Sequence, residues 1–193
     1  MKKRILVING HPDTSAERLC AGLAEAYAQG ARAAGHDIRR LDPGNLAFPF
    51  LRTAQAFTEA PPHPDIMAAR SDFLWAEHFL FVFPLWLGGP PALLKGFMEW
   101  IGCEEFLLGQ GKGRMPEGKL GHRSARILVT MGMPSAIYRL FFRAHGVKAF
   151  DRGILRIAGI KPVRTSYIGG VGAAVNQGRH WIATARELGA GAR

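Results

Sequence analysis

Phe79-Leu80-Phe81-Val82-Phe83-Pro84-Leu85-Trp86-Leu87-Gly88-Gly89-Pro90-Pro91 joins the most apolar run of the chain to a helix through a short loop, and its reading decides the fold. Residues 79–83 show no alternation of apolar and polar side chains, the pattern of a strand covered on both faces in a parallel sheet. Such a strand belongs at the centre. Pro84 has no amide proton to give a ladder, so the strand ends there. Pro90 and Pro91 suit the first turn of a helix, where amides lack intrahelical acceptors. In open α/β sheets the loop beyond the carboxyl end of a strand is where ligands sit. The spacing therefore predicts free backbone amides over 85–89, able to bond a planar polar edge, with the Trp86 indole lying along a ring.

Outward from this stretch, strands alternate with helices. Ile5-Leu6-Val7-Ile8 reads as a short buried strand rather than the apolar part of a signal peptide, because polar residues follow at once. A helical pattern then places Leu19, Leu23 and Tyr27 on one face, and Gly35 ends it. A weaker strand occupies 36–41. The connection over 42–64 carries five prolines and no period, and a helix over 64–76 leads into the central strand. After a helix at 91–101 comes a glycine-rich, basic surface excursion over 102–122. A strand at 125–130, a helical region over 135–157 broken near 146–153, a strand at 163–168 and a helix over 176–188 complete the chain. The alternation predicts one domain over 1–193, of α/β class, with a five-stranded parallel sheet in order 2-1-3-4-5 and helices on both faces. That order gathers the loops at 10–18, 84–90 and 130–138 around one crevice.

Composition narrows the function. The chain of 193 residues is long enough for one full core, and no apolar run reaches the length of a membrane span. Cys20 and Cys103 stand far apart in no metal-binding or redox spacing, which fits a reducing cytoplasm. The net charge of +10 invites a nucleic-acid reading, but apart from residues 112–126 the cations are scattered and no nucleic-acid motif accompanies them. Attraction to a small anionic substrate such as a dinucleotide phosphate fits the charge better. The seven histidines show no metal-ligand spacing, so no metal site is expected.

The three loops carry the candidate residues. The first lacks both G-x-x-x-x-G-K-[ST] and G-x-G-x-x-G. It still offers His11, the Thr14 and Ser15 hydroxyls, and the amides of Ala16 and Glu17 at the positive end of a helix. Thr14-Ser15-Ala16-Glu17 equally matches a capping box that needs no ligand. In the second loop, Leu85, Trp86 and Leu87 serve either as ligand contacts or as hydrophobic plugs. In the third, Gly132 lets backbone approach a ring, and Tyr138 and His145, seven apart, share a helix face if the helix continues. With no strong acid, base or metal in the crevice, a bound cofactor would carry the chemistry.

The stretch 83–96 resembles the flavin-binding signature of the NAD(P)H quinone dehydrogenases with a flavodoxin-like fold. Gly10-His11-Pro12-Asp13-Thr14-Ser15 resembles that family's phosphate loop, and Thr130-Met131-Gly132-Met133-Pro134-Ser135-Ala136-Ile137-Tyr138 its third flavin loop. The resemblance implies a flavodoxin-like three-layer sandwich, a homodimer with flavin sites at the subunit interface, a nicotinamide donor, and ping-pong two-electron reduction of quinones through FAD, with FMN the alternative. It implies that His11, Ser15, Ala16 and Glu17 hold phosphate and that Pro84, Leu85, Trp86 and Leu87 bind the isoalloxazine edge. Met131, Gly132 and Met133 lie against the ring, and Tyr138 and His145 stabilise charge and pass a proton. Glu17 departs from the uncharged amide common there, and His145 lies one residue further from Tyr138 than in the quinone reductase pattern. A second reading makes the chain a flavin-carrying regulatory subunit that docks on a larger membrane partner through residues 112–126.

Overall fold

The computed structural model describes residues 1–59, 63–109, 117–172 and 175–192, and side chains from 175 to 177 are left out of the description. The central run forms β3, His78–Pro84, buried at every position and ending at Pro84. It lies between β1, Arg4–Asn9, and β6, Ser124–Thr130, with β2, Asp37–Leu41, and β7, Val163–Ile168, at the edges. All four pairings are parallel, and the order β2-β1-β3-β6-β7 is the expected 2-1-3-4-5 with a small extra pair set aside.

Alternation hidden in the apolar run becomes visible once the faces are separated. Phe79, Phe81 and Phe83 point into one core with Leu6, Ile8, Ile127 and Val129. Leu80 and Val82 point into the other with Ile5, Val7 and Leu128. Helices α1, Leu19–Ala33, and α7, Val175–Ala190, cover the second core. Helices α3, Pro64–Trp75, and α4, Ala92–Gly102, cover the first, making three layers. Both faces of β3 are thereby removed from water, which is why its sequence needs no polar alternation. Two glycines allow α1 and α7 to touch backbone to backbone. A Cβ on Gly30 would stand 1.9 Å from the Arg186 carbonyl oxygen, and one on Gly189 2.0 Å from that of Tyr27.

Several expectations shift in detail. Helix α1 starts at Leu19, without a side-chain cap, so the capping box at 14–17 does not form. The Thr14 hydroxyl instead donates to Asn45 Oδ1 at 2.7 Å, and the Ser15 amide to Asp13 Oδ1 at 2.9 Å. The long connection contains a 3-10 turn at Pro43–Asn45 and a short helix α2, Ala54–Glu59. A two-residue pair, β4, Leu108–Gly109, with β5, Glu117–Gly118, interrupts the basic excursion, of which residues 110–116 lie outside the described residues. The helical region breaks earlier than its glycines suggest. Helix α5, Ser135–Leu140, and helix α6, His145–Phe150, are separated by a corner where Arg143 and Ala144 take left-handed backbone, φ 51° and 52°. A π-helical stretch, Asp151–Arg156, continues from α6.

Candidate functional site

Parallel register brings the carboxyl ends of β1, β3 and β6 to one edge. Asn9 pairs with Val82, and Pro84 with Thr130, so the three following loops leave the sheet side by side. Asn9 is fully buried and organises the first loop. Its Nδ2 donates to Asp42 Oδ1 at 2.9 Å while its Oδ1 accepts the His11 amide at 3.3 Å. The His11 ring is then held by its own neighbours: Nδ1 accepts the Asp13 amide at 3.0 Å, and the ring meets the Trp86 indole edge-on at 5.8 Å. Because Nδ1 is an acceptor, the proton sits on Nε2, leaving a neutral ring with one outward donor. Burial is the main cause that holds its pKa below the ordinary value, and Asp13 pulls the other way.

The second loop corrects the expectation of free amides over 85–89. The Leu85 amide donates to the Thr130 carbonyl at 2.7 Å, and Trp86 and Gly89 bond each other's backbone at 2.9 and 3.1 Å. Residues 86–89 thus close a two-residue hairpin turn with φ of 46° at Leu87 and 85° at Gly88, both in the left-handed region such a turn requires. Only the Leu87 and Gly88 amides lack an acceptor among the described residues. The physical reason is that a tight turn consumes its flanking donors.

The third loop is tied to the segment after β7. Met131 donates to the Ile168 carbonyl at 2.8 Å, and Val171 and Gly170 donate to the carbonyls of Met131 and Met133 at 3.1 Å each. Between the three loops lies a cavity of about 430 Å³, inside the size range of small-ligand sites. Of the expected contacts, His11, Glu17, Pro84, Leu85, Trp86, Met131 and Gly132 line it. Ser15, Ala16, Leu87 and Met133 stand at its loops without lining it, and the Leu87 side chain points wholly into solvent. Arg18, Leu19, Cys20, Thr130 and Val171 also line the cavity. Thr130 and Cys20 had a signal, being a strand end and a first-turn residue; Val171 had only the Gly169-Gly170 pair beyond the last strand.

Tyr138 and His145 do not share a helix face, because the corner at 141–144 separates them. Tyr138 is 1% exposed; its hydroxyl donates to the Gly88 carbonyl at 2.8 Å and accepts the Val147 amide at 3.3 Å. Burial raises its pKa. His145 is exposed at the start of α6, and its neighbour Gly146 packs so tightly that a Cβ there would stand 2.0 Å from the same Gly88 oxygen. Tyr138 and Gly146 thus abut the 86–89 turn, and neither Tyr138 nor His145 lines the cavity.

This strand order, with three loops meeting at one cavity, accompanies a match to the family described as Flavodoxin-like fold over residues 3–188. The chain belongs to that family. Among curated relatives, this flavodoxin-like chain is 26% identical over 136 residues to NAD(P)H dehydrogenase (quinone) 1 of Rattus norvegicus, covering 68% of this chain and 48% of that protein. The chain spans less than half the length of the curated relatives it matches. Among solved structures, the NAD(P)H:quinone oxidoreductase of Methanothermobacter marburgensis superposes with a TM-score of 0.81 at 19% identity, over 98% of this chain and 96% of that one. An FMN-dependent NADH-azoreductase of Bacillus anthracis, solved with FMN, gives 0.75 at 13% identity over 98% of each chain. At these identities the structural likeness shows the fold.

The flavodoxin-like cavity has the donor set an anionic, flat ligand needs. The first-turn amides of Leu19, Cys20 and Ala21 precede the first helical bond, Gly22 to Arg18, and sit at the positive end of α1. Arg18 lines the wall while its Nε pairs with Asp13 at 2.6 Å. Cys20 contributes bulk rather than reactivity: burial pushes its thiol up to about 11, and its Sγ lies 3.4 Å from Thr130 Oγ1. Gly132 presents backbone without a side chain, and Trp86, half exposed, presents an aromatic face. Glu17 is the one carboxylate on the wall.

Proposed function

We propose that this chain is a flavin-dependent NAD(P)H:quinone oxidoreductase working by ping-pong two-electron hydride transfer. One observation carries the reading. Three loops that resemble the flavin signature in sequence converge on one cavity, and seven of the expected contacts lie in its wall. A bound flavin supplies two-electron storage between a nicotinamide donor and a quinone. The chain's own residues bind and orient. His11 Nε2 and the first-turn amides of α1 would hold phosphate, and Ser15 and Ala16 frame that loop. Pro84, Leu85, Trp86 and the free Leu87 amide would border the ring, with Met131, Gly132 and Met133 against its face. Tyr138 would hold the 86–89 turn in place through Gly88, and His145, exposed at the start of α6, would exchange a proton with solvent.

Similarity of the middle loop to quinone reductases supports FAD; the Bacillus anthracis azoreductase, solved with FMN, supports FMN. The mass of the flavin released on denaturation assigns it. A homodimer, as the resemblance implies, is read by light scattering, and the two buried, unpaired cysteines suit the cytoplasm. In the regulatory-subunit reading, residues 112–116 of the docking segment 112–126 lie outside the described residues, and no feature of the described residues 117–126 favours that reading. The test is the visible spectrum of the purified protein, followed by NAD(P)H oxidation with a simple benzoquinone. A colourless protein that cannot be reconstituted with FAD or FMN removes the proposal.

A further inference from the structure

The two charged side chains on the cavity wall, Glu17 and Arg18, are not equivalent. Arg18 is committed: its Nε donates to Asp13 Oδ2 at 2.6 Å, and the other oxygen of that carboxylate accepts the Ser15 amide at 2.9 Å. Glu17 is not. Among the described residues no ion pair or hydrogen bond engages its carboxylate, and its amide is already given to Ser15 Oγ at 3.4 Å. His11 adds no charge to the wall, because its Nδ1 is occupied as an acceptor.

The wall assigned above to phosphate therefore holds one cation balanced by Asp13 and one carboxylate balanced by no side chain. The positive end of α1, worth about half an elementary charge, offsets only part of the latter. Such a wall sorts phosphates by their charge. A terminal monoester phosphate, as in FMN, carries about −1.5 to −2 at pH 7. Each phosphate of the FAD pyrophosphate is substituted twice and carries a single charge. The extra charge of the mononucleotide meets the Glu17 carboxylate, and two unit charges about 4 Å apart in water repel enough to change an affinity about fivefold.

We infer that Glu17 determines which flavin this chain holds, turning away FMN in favour of FAD through the charge of the phosphate and not through the fit of the ring. The inference rests on the flavin reading of the cavity. Specificity arises as readily from repelling a competitor as from attracting the preferred ligand. The isoalloxazine ring is common to both cofactors, so the ring contacts of the second and third loops do not separate them. Arg18 does not separate them either, since its charge is offset by Asp13. The carboxylate of Glu17 is the group on the wall that does.

The experiment is fluorescence titration of the full chain, freed of flavin, with FAD, FMN and riboflavin, for the parent, Glu17→Gln and Glu17→Asp. The parent is expected to bind FAD more tightly than FMN. Glu17→Gln should tighten FMN about 30-fold and FAD about fivefold, at roughly fivefold per unit of phosphate charge. It should leave riboflavin, which has no phosphate, unchanged. Glu17→Asp keeps the charge and should keep the parent's preference. Unchanged melting of both variants verifies their fold. A parent that prefers FMN, a Glu17→Gln variant whose preference between FAD and FMN matches the parent's, or a riboflavin affinity that moves with the other two would overturn the inference and leave the flavin reading standing. Failure of the parent and both variants to bind any of the three compounds would remove the flavin reading, and the inference with it.

Discussion

Acid should weaken this protein through His78, a residue at the far end of the sheet from the cavity. His78 opens β3 and is 1% exposed, with Nε2 2.9 Å from the Tyr27 hydroxyl and Nδ1 2.7 Å from the Ser124 hydroxyl. Burial, followed by the charges of Lys3 and Arg126, pushes its pKa down to about 3 from 6.5. In the folded protein the ring is thus neutral across the working range. The unfolded chain takes up a proton below pH 6.5, so stability is complete above that value and is lost as pH falls toward 3. At 1.36 kcal/mol per pH unit the whole gap comes to about 5 kcal/mol, of which about 2 kcal/mol is gone at pH 5. For a chain of this size that lowers the melting temperature by about 4 to 8 °C. The assay is urea unfolding between pH 7 and pH 5 for the parent and for His78→Gln, which can still bond both hydroxyls but cannot titrate. The parent should lose about 2 kcal/mol more than the variant over that interval. Equal slopes in the two proteins would refute the reasoning.

Other consequences follow from individual contacts. Gly30→Ala or Gly189→Ala should each cost about 1 to 3 kcal/mol in urea unfolding, because the new methyl meets a carbonyl of the facing helix; an unchanged midpoint would show that the helices part freely. Leu87→Asn should raise stability by about 1 kcal/mol, since asparagine tolerates the left-handed first position of this turn better than leucine does and no packing is lost. A lower melting temperature would contradict that strain. Tyr138→Phe removes the hydroxyl that links Gly88 to Val147 and should cost about 1 to 3 kcal/mol while loosening the 86–89 turn, read as lower urea midpoint and faster loss of bound flavin. His145→Ala should leave stability unchanged and slow flavin reduction by a factor of about 10² or less; unchanged transient kinetics would remove His145 from proton transfer.

The architecture was legible before any coordinates because its cause is local and repeated. A run such as 79–83 that is apolar at every position must be covered on both sides, and prolines at 84, 90 and 91 can only sit where amide donors are not needed. Those two constraints, repeated with glycine stops, yield the strand order and the edge on which the loops meet. The cavity wall was legible to the same extent, through His11, Trp86 and Gly132.

What tertiary structure alone decided concerns which partner each polar group finds. The Leu85 amide is taken by Thr130, 45 residues away in the chain, through the register of two strands, and Thr14 is taken by Asn45 instead of capping its own helix. The break between α5 and α6 falls at Arg143 and Ala144 although glycine stands at 146, because Gly146 is needed for contact with the Gly88 carbonyl. Propensity acts over a few residues, whereas hydrogen bonds and close approaches are settled by whatever the folded chain brings within 3 Å. Choices of the second kind become readable only when the sheet has set its register.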